Sequence, residues 1–272
     1  AFVPGNLTVT ISPSATTLIA GPASPQYGDP VTLTATVTSG TTGTVSFYDG
    51  SVLLGTGTVS KGVATLTTTT LVAGAHTVTA VYNGDATYAS SQSGPATVTV
   101  AKKTATGGGA ALTITIQNAS RPYGTSDPQF NYVVTGALVN ADTYATAVTG
   151  VPVYSTGDTP TSAAGSTFPI SVSGLSSANY EIAIVPGTLT IVAAPTTTTL
   201  ATSTNSAQYG DPITLTATVV PSGATGTVVF TNGSTVLGTG SVSGGVATLT
   251  TSALPAGAYT ITSSYQGDAN FG

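Results

Sequence analysis

Gln26-Tyr27-Gly28-Asp29-Pro30-Val31-Thr32-Leu33-Thr34-Ala35-Thr36-Val37 returns 182 residues later as Gln208-Tyr209-Gly210-Asp211-Pro212-Ile213-Thr214-Leu215-Thr216-Ala217-Thr218-Val219. Val31, Leu33, Ala35 and Val37 alternate with Thr32, Thr34 and Thr36, which puts apolar side chains on one face of a strand and hydroxyls on the other. That is the pattern of a sheet with one buried face. The Tyr-Gly-Asp-Pro ahead of it reads as a turn, because glycine admits positive φ, Asp accepts from nearby backbone and proline fixes its own φ.

The repetition extends outward. Leu54-Gly55-Thr56-Gly57 recurs as Leu237-Gly238-Thr239-Gly240, and Gly62-Val63-Ala64-Thr65-Leu66-Thr67-Thr68 as Gly245-Val246-Ala247-Thr248-Leu249-Thr250-Thr251, now 183 residues apart. The first and last thirds therefore share one fold. Further strands are expected at Thr44–Tyr48, Val52–Gly55, Val63–Thr68, Ala75–Tyr82 and Ala96–Val100, separated by the turn pairs Asp49-Gly50, Lys61-Gly62 and Asn83-Gly84. About seven short strands in under 100 residues indicate an immunoglobulin-like β-sandwich. The middle stretch, from Leu112-Thr113-Ile114-Thr115-Ile116 to Gly187-Thr188-Leu189-Thr190-Ile191, is also all β by pattern, and helical periodicity is absent. The fold class expected is all-β: three tandem β-sandwich domains in an elongated rod, at 14–103, 104–193 and 194–272. Gly107-Gly108-Gly109 gives one flexible joint and Ala193-Ala194-Pro195 a shorter, stiffer one.

The third domain lacks a last strand. Gly84-Asp85-Ala86-Thr87-Tyr88 runs on to Ala96-Thr97-Val98-Thr99-Val100, whereas its copy stops at Gly267-Asp268-Ala269-Asn270-Phe271-Gly272. Placing Ala1 to Ile11 after Gly272 restores a 17-residue match without a gap. Residues 1–13 are accordingly expected to complete the third domain of a preceding repeat or subunit. Leu7, Val9 and Ile11 would enter an acceptor groove formed by Val246, Leu249, Ile261, Tyr265 and Phe271. An unpaired edge and an open core are costly, and donor-strand complementation would remove both costs. Separate subunits exchanging strands and one polypeptide repeating every 272 residues both produce this pattern.

The Tyr-Gly-Asp-Pro opening, the Leu-Gly-Thr-Gly and Val-Ala-Thr-Leu strands and the Tyr-x-Gly-Asp-Ala-x-(Tyr/Phe) ending resemble bacterial Ig-like repeat domains of large surface proteins and adhesins. The middle segment, from Asn118-Ala119-Ser120-Arg121-Pro122-Tyr123-Gly124 onward, is similar to the MBG-type domains that accompany such repeats. The resemblance implies secreted stalks, adhesins or surface arrays.

Composition narrows the chemistry. Only 5% of the 272 residues are charged, against about 25% in typical soluble proteins. The 40% apolar content with regular alternation argues against disorder. The four bases are Lys61, Lys102, Lys103 and Arg121. They form no basic patch, and nucleic acid is not an expected partner. No apolar run is long enough to span a membrane. Cysteine, methionine and tryptophan are absent, so core packing alone must hold the domains, and the Thr-rich surface points to an extracellular location.

Each candidate site has a structural explanation. His76 is the single histidine and its copy is Tyr259, which fits a ring packed at a sheet edge. Asp29, Asp85, Asp211 and Asp268 are the calcium candidates, yet Asp in these motifs ordinarily caps a turn. Lys61, Lys102 and Lys103 lie in a turn and a linker, unsuited to a self-formed Lys–Asn amide bond. Asn6, Asn118 and Asn232 head glycosylation sequons. Tyr27, Tyr82, Tyr123 and Tyr180 could form a carbohydrate strip, though strand-end positions suit core plugs better. No nucleophile elbow, P-loop or metal motif occurs, so neither enzyme activity nor a cofactor is expected. The reading is a structural repeat or subunit of an extracellular filament or surface stalk, partnered head-to-tail with copies of itself. The alternative is an adhesin segment that binds surface glycans or proteins.

Overall fold

The computed structural model describes residues 5–272, and the start of the 1–13 strand assignment lies outside them. The described residues divide into two compact units. The first holds residues through Thr115 with Val133–Pro152 and Ser173–Val185, and the second holds Ile116–Tyr132, Val153–Val172 and Pro186–Gly272. The middle segment contributes to both.

In the first unit the repeated motif is a strand of the kind read from its alternation. A three-stranded sheet runs β1 (Thr16–Gly21), β2 (Val31–Val37) and β5 (Val63–Thr68) in that order, all antiparallel. A second sheet holds β3 (Thr44–Asp49), β4 (Val52–Thr58), β6 (Gly74–Tyr82), β7 (Ser91–Gln92) and β8 (Ala96–Val100), with β3 and β8 on opposite edges of β6. Val31, Leu33, Ala35, Val45, Phe47, Val78, Ala80 and Tyr82 are buried between them, while the threonines of β2 face outward. The register Gly74↔Val100 to Val78↔Ala96 covers the lower half of β6 completely. This unit also carries the sheet β11-β9-β14, formed by Tyr132–Gly136, Leu112–Ile116 and Ile182–Val185, with β9 and β14 parallel.

The second unit contains most of the sheet β10-β15-β13-β12. Here β10 is Ala119–Pro122, β12 Thr149–Ser155, β13 Thr167–Ser176 and β15 Gly187–Val192. β15 is central, parallel to β10 and antiparallel to β13, and buries Leu189 and Ile191. One helical turn, α1 (Tyr144–Ala147), opens with a Thr143–Thr146 capping box, a local signal that periodicity over a longer window does not register.

The last domain repeats the first: β16 (Thr197–Thr202), β17 (Ile213–Val220) and β20 (Val246–Thr251) form one sheet, and β18 (Thr227–Asn232), β19 (Thr235–Ser241) and β21 (Ile261–Tyr265) the other. It differs at one edge. β21 begins at Ile261, whereas its copy β6 begins at Gly74, the counterpart of Gly257. Residues 257–260 have no strand partner among the described residues and do not form strand, because a strand persists only where its backbone groups are paired. Amide exchange should register this difference directly: the β8-facing amides of Gly74–Thr77 should be protected and those of Gly257–Tyr259 should exchange at rates near those of open loops.

Candidate assembly interface

Three linker residues make the same contact. Ser12 forms a parallel bridge with Tyr88, Lys103 with Tyr180 and Ala194 with Phe271. In each case the linker amide donates to the carbonyl of the residue before the aromatic one: Ser12 to Thr87 at 2.7 Å, Lys103 to Asn179 at 2.8 Å and Ala194 to Asn270 at 2.8 Å. Each linker carbonyl then accepts from the residue after it, Ala89 at 2.8 Å, Glu181 at 2.9 Å and Gly272 at 3.0 Å. The incoming chain is thus held by a pair of backbone hydrogen bonds against the loop of the domain it enters.

The Lys103 clamp, inside the first unit, is reinforced by side chains. The Tyr27 ring meets Tyr180 edge-on, with centroids 5.5 Å apart, and both phenols donate to Asp142, at 3.0 and 2.6 Å. Burial and the adjacent carboxylate push the Tyr180 phenol up to about 12. Asn179 accepts from the Ala73 amide, and the Lys103 ammonium pairs with Asp29 at 2.9 Å. Gly28 is at φ +84, and a Cβ there would meet Val139 at 2.5 Å, so this approach requires glycine.

The Ala194 clamp, inside the second unit, uses equivalent parts. Phe271 meets Tyr123 edge-on at 5.4 Å, and Asn270 accepts from the Ala164 amide at 3.0 Å. In both clamps a Tyr-Gly tyrosine of one domain contacts the Ala-Asn-aromatic loop of the next. Each edge-to-face pair adds about 0.5–1.5 kcal/mol beyond the area it buries.

Two faces have no such counterpart among the described residues. Tyr209 is 76% exposed where its copy Tyr27 is 5% exposed, and a Cβ on Gly210 would meet nothing within 4 Å. Beside it runs a groove of about 850 Å³, lined by Leu200, Tyr209, Ile213, Leu254, Tyr259 and Ile261 among others. It borders residues 257–261, the copy of the edge that β8 covers in the first domain. Of the acceptor residues expected from sequence, Ile261 lies on the groove wall. Leu249, Ile261, Tyr265 and Phe271 pack onto the third-domain core, and Val246 begins β20 on the other sheet. Leu7, Val9 and Ile11 are exposed.

The calcium candidates use their carboxylates on backbone. Asp29 accepts from Gln26 at 3.0 Å and Asp211 from Gln208 at 2.9 Å. Asp85 accepts from the amides of Thr42, Thr87 and Tyr88, which together hold its carboxyl far below the usual range. For Asp268 burial acts upward, but Thr225, Asn270 and Phe271 outweigh it and hold the group well below its usual range. No cluster of three His, Cys, Asp or Glu is found among the described residues. Asn118 accepts from Thr188 and Asn232 from Thr260, while Asn6 is exposed. Tyr27, Tyr82 and Tyr180 are buried, so the four tyrosines form no exposed strip.

Two arrangements were not expected from sequence. His76 does more than pack: Nδ1 lies 2.7 Å from Asp49 and Nε2 2.7 Å from the Val72 carbonyl. In the third domain Tyr259 reaches the corresponding Pro255 carbonyl, and Asn232 replaces Asp49. The paired change of both residues was the available signal. Arg121 is buried and bridges Asp127 and Asp158 with the Thr159 carbonyl.

Residues 16–101 and 198–272 match the family model described as bacterial Ig-like domain (group 3), and 112–190 match the MBG domain of YGX type. No curated protein sequence matches the chain. Among solved structures, the Escherichia coli adhesin FdeC is 16% identical over 99% of this chain and 97% of its own, with a TM-score of 0.29. Fibronectin(III)-like modules of Clostridium thermocellum CbhA are 26% identical over 32% of this chain and 94% of theirs, with a TM-score of 0.26.

Burial lowers the His76 pKa, but the Val72 carbonyl and the Asp49 carboxylate raise it more, for a net upward shift. A raised folded-state pKa contributes stability that is complete below the ordinary histidine value and is lost as pH rises through the folded value. The thermal midpoint of the first domain should therefore fall across that window, and His76→Tyr should flatten the dependence. Arg121→Met strands the buried Asp158 carboxylate and should cost about 3–5 kcal/mol in a denaturant titration.

Proposed function

Because the chain belongs to the bacterial Ig-like domain (group 3) family, we propose that it is a passive structural segment of a bacterial surface protein, a stalk or filament whose domains join end to end. The observation that carries this reading is the clamp repeated at Ser12, Lys103 and Ala194, which spends one loop of each domain on chain connection. Loops so used are not free to recognise a ligand, and loops are where binding residues concentrate.

The open edge of the third domain calls for a strand with the alternation of Ala96–Val100. Burying two such side chains contributes about 1.5–3 kcal/mol each, in addition to pairing the exposed backbone. Leu7–Ile11 of a like segment is the donor proposed from sequence, giving head-to-tail assembly of copies. A second reading, that the strand continues the third domain's own polypeptide, is favoured by the first domain, where β8 follows the Tyr88 loop and the short β7 in the same polypeptide.

Antibody to the first domain should label intact cells without permeabilisation, and labelling that requires permeabilisation overturns the surface assignment. Groove completion has its own readout. Extending Gly272 with residues 90–101 should protect Gly257–Tyr259 from exchange and raise the third domain's midpoint. If the unextended chain instead forms oligomers at high concentration that Leu7→Asp with Val9→Asp abolishes, donation between copies is the correct form.

A further inference from the structure

Ser12 occupies in its clamp the place that Ala194 occupies in the second unit, and aligning the two linkers aligns what precedes them. Val3-Pro4-Gly5-Asn6-Leu7-Thr8-Val9 then falls on Val185-Pro186-Gly187-Thr188-Leu189-Thr190-Ile191, and Pro13, Thr16, Thr17 and Leu18 fall on Pro195, Thr198, Thr199 and Leu200, all at the 182-residue offset of the repeated motif. Residues 187–192 are β15, the central closing strand of the middle domain's larger sheet.

We propose that residues 5–11 are the closing strand of another MBG-type domain, and that the Ser12–Tyr88 face of the first Ig-like domain docks that domain. Three observations converge. The first is the Val-Pro-Gly-x-Leu-Thr match, which the end of the first domain, Gly94-Pro95-Ala96-Thr97-Val98, does not share. The second is exposure: Leu7 and Val9 are 88% and 85% exposed, whereas their counterparts Leu189 and Ile191 are 0% and 1% exposed. An alternating apolar pair of this kind needs a sheet on both sides, as β10 and β13 supply to β15. The third is the aromatic loop. Phe271 is covered by Tyr123 of a Pro-Tyr-Gly turn, and Tyr88 at the equivalent place has no ring contact among the described residues.

The occupant is thus an MBG-type domain carrying a Pro-Tyr-Gly tyrosine. This chain's own middle domain cannot serve, because Gly187–Val192 already fills its slot. It follows that the array alternates Ig-like and MBG-type domains with a period near 182 residues, rather than repeating every 272. The inference rests on the stalk reading but assigns the leading strand to a different domain class than the head-to-tail donor.

Two extensions of the full chain separate them. In one, residues 12–184 are joined ahead of Val3, so that residues 5–11 can close a second MBG-type body. In the other, residues 194–272 are joined ahead of Ala1, offering the incomplete Ig-like body instead. The expected result is that amides of Leu7–Val9 exchange at least about 100-fold more slowly in the first extension than in the parent chain, and remain fast in the second. Leu7→Asp in the first extension should abolish that protection while leaving the original middle domain's exchange unchanged. Protection confined to the second extension overturns the proposal and leaves the stalk reading with an Ig-type donor. Protection in both, or in neither, overturns it as well.

Discussion

The contact on which the rest of this chain depends is a pair of backbone hydrogen bonds between an incoming linker and the loop it meets. Ser12, Lys103 and Ala194 each donate to one loop carbonyl and accept from the amide two residues further on. A protein with four basic residues has few ion pairs available for fixing one domain against the next. Backbone pairs require no particular side chain, so the same clamp serves Ig-like and MBG-type domains whose sequences differ. Side chains then add specificity, through an edge-on aromatic pair and an asparagine accepting from a neighbouring amide.

How much of this was legible follows from the range of each signal. The strands of the Ig-like domains could be read because alternation repeats within five to nine residues, and the observed β2, β3 and β5 start where the pattern places them. The Asp turns could be read because each Asp has a backbone partner within three residues. The clamps could not, since Lys103 and Asn179 are far apart in sequence and neither belongs to a periodic element. The Arg121 pairs were missed for the same reason: Asp127 and Asp158 approach from loops. The Asp49–His76 pair lay within reach, because both residues change together to Asn232 and Tyr259 in the repeat.

That exchange shows what the scaffold holds constant. His76 Nε2 and the Tyr259 hydroxyl both satisfy a carbonyl four residues upstream, Val72 or Pro255. The carbonyl lies in the turn leading into β6 or its copy, where β-pairing does not reach it. Pairing that carbonyl matters, whereas the identity of its donor matters little. The repeat therefore keeps a hydrogen-bond role and lets the chemistry of the donor vary.

The open edge of the third domain follows from the same accounting. β6 is nine residues long and β21 five, and the lost residues are those that β8 would pair. The third-domain core persists nonetheless, with Leu215, Ala217, Val228 and Phe230 fully buried, because the two sheets pack over their centres rather than at this edge. Each domain in such an array has an intrinsic stability set by its sheet packing and an added term from the neighbour that covers its edge and its tyrosine. Tyr27 and Tyr209 are one residue in two situations: buried where an Asp142–Tyr180 loop is present, exposed where no described residue covers it.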